Sequence, residues 1–177
     1  MLMMKMSQAS RTQGRRSRRQ GGMFLIECLV AILLFAIGVL GIVGLNAVAV
    51  ASQSDAQYRS EAANLANRVA QEAWLNVDRI TGPTPAARAT SLRTALEKFR
   101  HQPSGEDCAF SGTAATAAPM TGWLVDARKL PGATAAMQQV LVDTDAATGF
   151  NKVTVTVCWQ VPTNPVPRRH VFAAFVN

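Results

Sequence analysis

An uncharged, mostly apolar stretch runs from Cys28 to Ser54 and limits what this chain can fold into. Its part from Cys28 to Leu45 alone approaches the roughly 20 residues that an α-helix needs to cross a bilayer. One acidic residue, Glu27, stands at the start of the stretch. A charged side chain at the centre of a bilayer costs ~2.5–3.5 kcal/mol on insertion scales. We therefore expect the Glu27 carboxylate to have a cationic partner.

The positive charge of the chain is concentrated ahead of this stretch. The 177 residues carry a formal net charge of +7, and six of the 18 lysines and arginines lie before residue 23, with no acidic residue among them. Basic residues beside a membrane segment stay on the cytoplasmic side. The residues after the apolar stretch are therefore predicted to lie across the membrane, which is the periplasm in a bacterium with two membranes. The alternative is a disordered basic tail that binds nucleic acid.

The three cysteines bear on the compartment and on metal binding. Cys28 lies in the apolar stretch, whereas Cys108 and Cys158 follow it. An oxidising compartment favours a Cys108–Cys158 disulfide, and two buried free thiols are the alternative. There is no Cys-x-x-Cys, and His101 and His170 are the only histidines. The spacing therefore predicts no metal site, and nothing in the sequence calls for a cofactor.

A long helix is predicted from Phe24 to Val77, ended by Gly82-Pro83. Its second half has the i, i+3, i+4, i+7 spacing of an amphipathic helix, with apolar residues at Ala62, Leu65, Ala66, Val69, Ala70, Ala73 and Val77. Its first half is apolar all round and contains glycines at Gly38, Gly41 and Gly44. These glycines indicate either a weak point in the helix or a surface on which another helix packs closely.

The remainder of the chain predicts a small mixed domain. Two short helices are expected, at Ala86–Arg100 and Thr121–Leu130, with loops at 101–105 and 111–119. Strands are expected near 136–142, over the alternating segment Val153–Gln160 and at His170–Val176. Short connections favour an antiparallel meander, and the fold class is therefore α+β. Trp123 and Trp159 are expected in its core.

The segment Gly22-Met23-Phe24-Leu25-Ile26-Glu27 resembles the processing site of type IV prepilins. The glycine-containing segment Ile37–Gly41 and the tetrapeptide Ala63–Ala66 are similar to those of minor pilins of the PilV type. The resemblance implies a type IV pilin-like fold, in which a long N-terminal helix packs on a small antiparallel β-meander head. The domains are then a cleaved basic leader (1–22), a transmembrane half of the helix (23–50), an amphipathic half (51–80) and a periplasmic α+β head (81–177).

The same resemblance implies how the chain is processed and what it contacts. A membrane prepilin peptidase would cut after Gly22 and methylate the new N-terminus at Met23. Glu27 would form a salt bridge with the terminal amine of a neighbouring subunit during assembly. Phe is usual where Met23 stands, and translation could start at a later methionine such as Met6.

The implied function is structural, with no catalytic residues. A minor pilin of this type joins other minor pilins and the major pilin through its N-terminal helix to initiate or cap a type IV pilus. Such a pilus serves twitching motility, adhesion or DNA uptake. A pseudopilin of a type II secretion system shares the leader, the glutamate and the helix, and is the alternative.

Other interpretations remain open at this level. The segment Ala49-Val50-Ala51 offers a conventional signal-peptide cleavage site, Ser17-Arg18-Arg19 a weak twin-arginine signal, and the apolar stretch could be a plain membrane anchor. Asp143 and Asp145 are expected in a turn and are too few to bind calcium well. Four basic residues could form a patch for nucleic acid or a solvated strand edge: Lys152, Arg168, Arg169 and His170.

Overall fold

The computed structural model describes residues 21–144, 150–162 and 164–176. The chain divides into two compact units, Met1–Ala49 and Val50–Asn177. The architecture is α+β, as predicted: a long N-terminal helix is followed by small antiparallel sheets. The predicted leader lies outside the described residues except for Gly21 and Gly22.

The first helix, α1, spans Gly21–Asn76 and so contributes to both units. Within the first unit it is continuous through Gly38, Gly41 and Gly44. The interpretation of these glycines as a weak point is therefore not supported by the helix geometry. The large apolar side chains of this part are exposed, because no other described element of the first unit covers them.

Within the second unit, α1 is amphipathic in the predicted register. All seven predicted apolar positions are buried, from Ala62 through Val77. The helix ends at Asn76, one residue earlier than predicted, and Val77 still reaches the core. Asp78 helps to reverse the chain here, because its Oδ1 accepts hydrogen bonds from the backbone N–H groups of Ile80 and Thr81, each at 2.9 Å.

Two shorter helices follow, with bounds that differ from the predicted ones. Helix α2 spans Pro85–Glu97 and is capped by the Thr84 hydroxyl, which accepts a hydrogen bond from Ala87 N at 3.2 Å. The predicted end at Arg100 is wrong, because the chain tightens into i→i+3 bonds after Glu97. Helix α3 spans Ala118–Ala127, so it begins and ends three residues before its prediction. Proline near its start favours the earlier beginning.

A β-hairpin lies where the sequence predicted no strand, between and partly within the loops expected at 101–105 and 111–119. Strand β1 (Ser104–Glu106) pairs with β2 (Ala109–Ser111), and Glu106 stands opposite Ala109. The two turn residues, Asp107 and Cys108, have φ angles of +49° and +67°. This two-residue turn with both φ angles positive has the geometry of type I′, which usually contains glycine. Because cysteine and not glycine occupies the second turn position, the sequence does not predict this hairpin.

The main sheet is the predicted antiparallel meander. Strands β3 (Gln139–Thr144), β4 (Asn151–Trp159) and β5 (Arg168–Val176) lie in the order β3-β4-β5. The residues just before β3 form a 3-10 helix, Ala135–Met137, so the predicted strand begins later than residue 136. Asp143, expected in a turn, lies in β3 instead, and Asp145 lies outside the described residues.

The sheet has one core face and one outer face. Cross-strand register places Val140, Val155 and Phe172 on the core face, and α1, α2 and α3 contribute to the same hydrophobic cluster. Trp123 and Trp159 are both buried there, as predicted. We call the opposite side the outer face, and it carries Gln139, Leu141, Thr154, Thr156, Cys158, Arg169, Val171 and Phe175.

A disulfide joins the hairpin to the outer face. Cys108 in the hairpin turn is bonded to Cys158 of β4, 50 residues away, so the predicted pairing is present in the structure. Phe110 and Met137 pack beside the two half-cystines and form a second, smaller apolar cluster. The disulfide thus covers one end of the outer face.

Candidate membrane and assembly segment

The exposed part of α1 between Met23 and Val50 is the main candidate functional surface. Among the described residues, this helix alone is long and apolar enough to cross a membrane. Its large side chains are mostly more than half exposed, including Phe24 at 67%, Leu34 at 64% and Leu45 at 73%. Soluble monomers rarely expose a contiguous apolar surface of this extent. By length and composition, this part of the helix matches a single membrane-spanning segment.

Glu27 is the sole charged residue on this surface. Its side chain is exposed and forms no ion pair with any described residue. Gly22 and Met23 lie in the same helix, and Met23, 72% exposed, precedes Glu27 by four residues. Four residues correspond to about one helical turn, or roughly 6 Å of rise. The predicted cleavage site and the predicted assembly carboxylate are thus neighbours along one side of the helix.

The three glycines of the apolar surface face open space. A Cβ atom added at Gly38, Gly41 or Gly44 would meet no heavy atom within 4 Å. Among the residues that the structure describes, therefore, no packing contact requires a glycine at these positions. Glycine in an exposed membrane helix lets a second backbone approach closely, which is the other of the two interpretations that the sequence left open.

In the second unit, ion pairs connect α1 to distant elements. Asp55 on α1 is paired with Arg168 at the start of β5, and Arg59 contacts the same carboxylate at 3.0 Å. Arg68 Nη1 lies 2.7 Å from Asp126 Oδ2 on α3. Neither long-range pair has a signal in the sequence, because each joins residues separated by dozens of positions. Together they fix α1 against both the sheet and α3.

Two carboxylates have pKa values lowered from their ordinary value of 3.8. Hydrogen bonds from Lys129 and then from Arg68 lower the pKa of Asp126. Hydrogen bonds from the side chain and backbone of Thr81, together with the backbone of Ile80, lower the pKa of Asp78. Both groups therefore favour the folded state above their ordinary pKa, and this contribution is lost as the pH falls through the lowered values.

The basic residues near the C-terminus do not form a single patch. Register places Lys152 and Arg169 on the outer face but at opposite ends of the sheet, whereas Arg168 and His170 point to the other side. Arg168 is paired with Asp55, and Arg169 Nη1 lies 3.1 Å from Asp107 Oδ1. The arrangement lacks the continuous positive stripe that binding to a phosphate backbone uses.

His101, one of the two histidines weighed for metal binding, has backbone hydrogen-bond partners at both ring nitrogens. His101 is buried, its Nδ1 accepts a hydrogen bond from Ala115 N at 3.0 Å, and its Nε2 lies 3.0 Å from Ala135 O. Because Nδ1 accepts, Nε2 carries the proton, and both nitrogens serve to hold loops in place. Among the described residues there is no group of three or more His, Cys, Asp or Glu side chains that could hold a metal ion. Asp145, considered for calcium, lies outside those residues.

In comparisons with protein-family models, with curated proteins and with solved structures, nothing matches this chain.

Proposed function

We propose that this protein is a minor subunit of a type IV pilus, cleaved by a prepilin peptidase after Gly22. The mature chain would be held in the inner membrane by α1, with its second unit in the periplasm. It would join other minor pilins and the major pilin to initiate or cap the filament. Its role is structural, and the peptidase acts on it as a substrate.

The observation that carries this proposal is the surface of α1 from Met23 to Val50. It is apolar all round, is exposed among the described residues, and carries one carboxylate at its beginning. A plain membrane anchor has no need of that carboxylate, whose insertion costs energy. In an assembly of such helices the carboxylate has a use, because it can select the position of a neighbouring subunit.

Cleavage would supply the missing cation. The new α-amino group at Met23 would lie about one helical turn from Glu27 and at nearly the same membrane depth. An unpaired charge inside an apolar bundle is strongly unfavourable, so a neighbouring helix is stabilised where its amine reaches the carboxylate. The pair therefore sets the axial register between subunits, while Gly38, Gly41 and Gly44 permit close approach of the helices.

The glycine pattern of Ile37–Leu45, together with the disulfide and the length of the second unit, favours a pilus subunit over a secretion pseudopilin. The Cys108–Cys158 disulfide suits an oxidising compartment. It also suits a filament outside the cell, where a small domain must stay folded without chaperones.

The first experiment determines the N-terminus of the protein purified from membranes of its own host. Mass spectrometry is expected to find a chain that begins at an N-methylated Met23. A mature chain that retains its arginine-rich residues in assembled filaments, or one that begins at Ser52, would contradict the proposal.

The second experiment compares Glu27→Gln with the control Glu97→Gln, which changes an exposed carboxylate at the end of α2. Both variants should reach the membrane at wild-type levels. Incorporation into sheared pili should fall about tenfold for E27Q, equivalent to ~1.4 kcal/mol per assembly contact, and stay unchanged for E97Q. Normal pili with a loss of protein secretion would instead identify a pseudopilin.

A further inference from the structure

The two edges of the β3-β4-β5 sheet differ in how the rest of the second unit covers them. At the β3 edge, Val140 exchanges two backbone hydrogen bonds with His101, each at 3.0 Å, and Val142 O accepts from Arg100 at 2.8 Å. At the β5 edge, no described strand pairs with the outer side. Proteins usually blunt an edge with charges, proline or a bulge. The segment Val171–Val176 has no charged residue and no proline, and its register with β4 is continuous.

The register of the sheet determines which backbone groups of β5 point away from it. Val140 and Val142 direct their backbone groups away from β4, so the alternate residues of β3 bond to β4 at Lys152, Thr154 and Thr156. The remaining residues of β4 then bond to β5, which leaves every second residue of β5 directed outward. These outward residues are Arg169, Val171, Ala173 and Phe175.

One outward group already accepts a hydrogen bond from outside the sheet. Trp74 Nε1 on α1 donates to Phe175 O at 3.1 Å. The backbone N–H and C=O groups of Arg169, Val171 and Ala173 form no hydrogen bond with any described residue. The side chains of these three residues are exposed, so the edge is open to a further strand. With one donor and one acceptor per residue, the three residues offer up to six backbone hydrogen bonds to that strand.

Apolar surface lies on both sides of the open edge. On the core-face side, a cavity of about 190 Å³ between α1 and β5 is lined by Ala70, Trp74, Phe172 and Ala174 among others. On the outer face, Phe175 is 59% exposed and its ring packs edge-on against Phe150, with ring centroids 6.3 Å apart. A strand added to β5 would therefore meet apolar side chains on both of its faces.

We propose that the β5 edge binds an extended segment of a different protein as a fourth, antiparallel strand of the sheet. The segment is apolar and uncharged along Val171–Phe175, and one of its side chains enters the cavity between Trp74 and Phe172. In strand addition, backbone hydrogen bonds supply affinity, and pockets for alternate side chains supply specificity. Antiparallel pairing is the slightly more stable arrangement per residue.

Charge complementarity defines one end of the segment. Strands β4 and β5 contain Lys152, Arg168 and Arg169 and no acidic residue. Arg168 is paired with Asp55. Arg169 is paired at 3.1 Å with Asp107 of the hairpin, which the disulfide holds over β4, so the side of Arg169 toward the open edge remains available. A carboxylate of the added strand reaches Arg169 from that side. In an antiparallel partner, this acidic residue lies at the C-terminal end.

A second copy of this chain does not meet these requirements. Strand β5 has no acidic residue to place beside Arg169 of another β5, and the β3 edge is already covered. Strand β5 also begins beside Asp55 and ends beside Trp74, so it runs in the same direction as α1. Antiparallel pairing of two β5 strands would therefore set their α1 helices in opposite directions, whereas chains inserted alike in one membrane have parallel helices. Only this last reason depends on the proposed function.

The test titrates the ¹⁵N-labelled full-length chain in detergent micelles with the synthetic peptide acetyl-Thr-Val-Thr-Leu-Val-Thr-Glu-amide. The antiparallel register places its glutamate beside Arg169 and its leucine beside Phe172. Saturable shifts are expected for the backbone amides of Val171 and Ala173. N-methylation of its third, fifth and seventh residues removes the N–H groups that face β5 and should weaken binding about tenfold or more. N-methylation of its second, fourth and sixth residues leaves those groups intact and should preserve binding.

Two variants of the chain assign the binding to the β5 edge. Ala173→Pro removes one outward N–H and should weaken binding about tenfold, while the fold tolerates proline where the N–H of an edge strand faces solvent. An unchanged amide spectrum in β3 and α3 verifies its folding. Arg169→Gln should weaken binding about threefold, as expected for an exposed ion pair. Lys98→Gln, which changes an exposed charge after α2, is the control and should bind as the wild type does.

Three results would overturn the inference. They are the absence of saturable shifts, equal binding of the two N-methylated peptides, and unaltered binding by the folded A173P chain. Unaltered binding by R169Q would overturn the acidic end of the segment. Self-association of the chain alone that A173P abolishes would overturn the choice of a different protein in favour of a second copy. None of these results depends on cleavage at Gly22 or on pilus incorporation, so the proposed function is tested separately.

Discussion

Asp126 shows how a single partly buried carboxylate links two elements of the second unit. Its Oδ2 accepts from Arg68 Nη1 of α1 and its Oδ1 from Lys129 Nζ, each at 2.7 Å. Exposed ion pairs contribute little one at a time. Here two cations hold the ionised form of one carboxylate, which is why its pKa lies below 3.8. Local hydrogen bonds at the end of α1 likewise lower the pKa of Asp78.

The lowered pKa of Asp126 predicts a specific dependence of stability on pH. The folded state binds fewer protons than the unfolded state near pH 3.8, so the free energy of unfolding falls as the pH drops through the lowered pKa. Asp126→Asn should destabilise the protein at pH 6, and its difference from the wild type should shrink as the pH falls through the lowered pKa of Asp126. Urea titrations across this range, followed by tryptophan fluorescence, measure the difference. A constant gap between the two proteins at every pH would contradict the assignment.

At the scale of elements, the β1–β2 hairpin depends on contacts beyond its own backbone hydrogen bonds. Strands β1 and β2 have only three residues each, too few for independent stability. Their turn also places Cys108 at φ +67°, a conformation that suits glycine. The hairpin is therefore stabilised by its disulfide and by the packing of Phe110, which outweigh the backbone cost at Cys108.

The backbone cost at Cys108 can be separated from the disulfide. In a Cys158→Ser background, neither Cys108→Gly nor Cys108→Ser can form the bond, and the two variants differ only at the turn. We expect the glycine variant to be more stable by ~1 kcal/mol, because a left-handed conformation costs a non-glycine residue about 1–2 kcal/mol. Equal free energies of unfolding in urea would show that the turn relaxes once the disulfide is absent.

For the whole molecule, the relevant division is that between its two units. The second unit has a packed core and a disulfide, whereas the described part of the first unit is one helix without a core of its own. Such a helix depends on its surroundings, since isolated helices are marginal in water. The proposed membrane and neighbouring pilin helices would supply those surroundings for the first unit, while the second unit is stabilised by its own core and disulfide.

This division predicts that reduction of the disulfide affects one unit only. Opening a 50-residue loop should lower the free energy of unfolding of the second unit by ~4 kcal/mol in the chain-entropy model. Amide hydrogen exchange in micelles should accelerate across β3, β4 and β5 and remain unchanged between Ile32 and Leu45. A Cys28→Ser background prevents exchange with the third cysteine. Faster exchange in both segments would show that the units unfold together.

The sequence alone determined the elements whose residues repeat with a clear period. The amphipathic half of α1 and the alternating strand β4 were both predicted, because burial on one face imposes a period of 3.6 or 2 on the residues themselves. The uncharged stretch after Glu27 likewise identified a membrane-length helix, and the two downstream cysteines favoured a disulfide, because composition and compartment limit these features directly.

The tertiary structure alone decided which distant residues meet. The hairpin stayed hidden because a cysteine occupies a glycine-type position and is retained there by a bond to Cys158. The Asp55–Arg168 pair and the Arg68–Asp126 pair also lack any local pattern. Such contacts depend on chain reversals whose geometry is set by packing of the whole domain, and short-range periodicity contains no information about them.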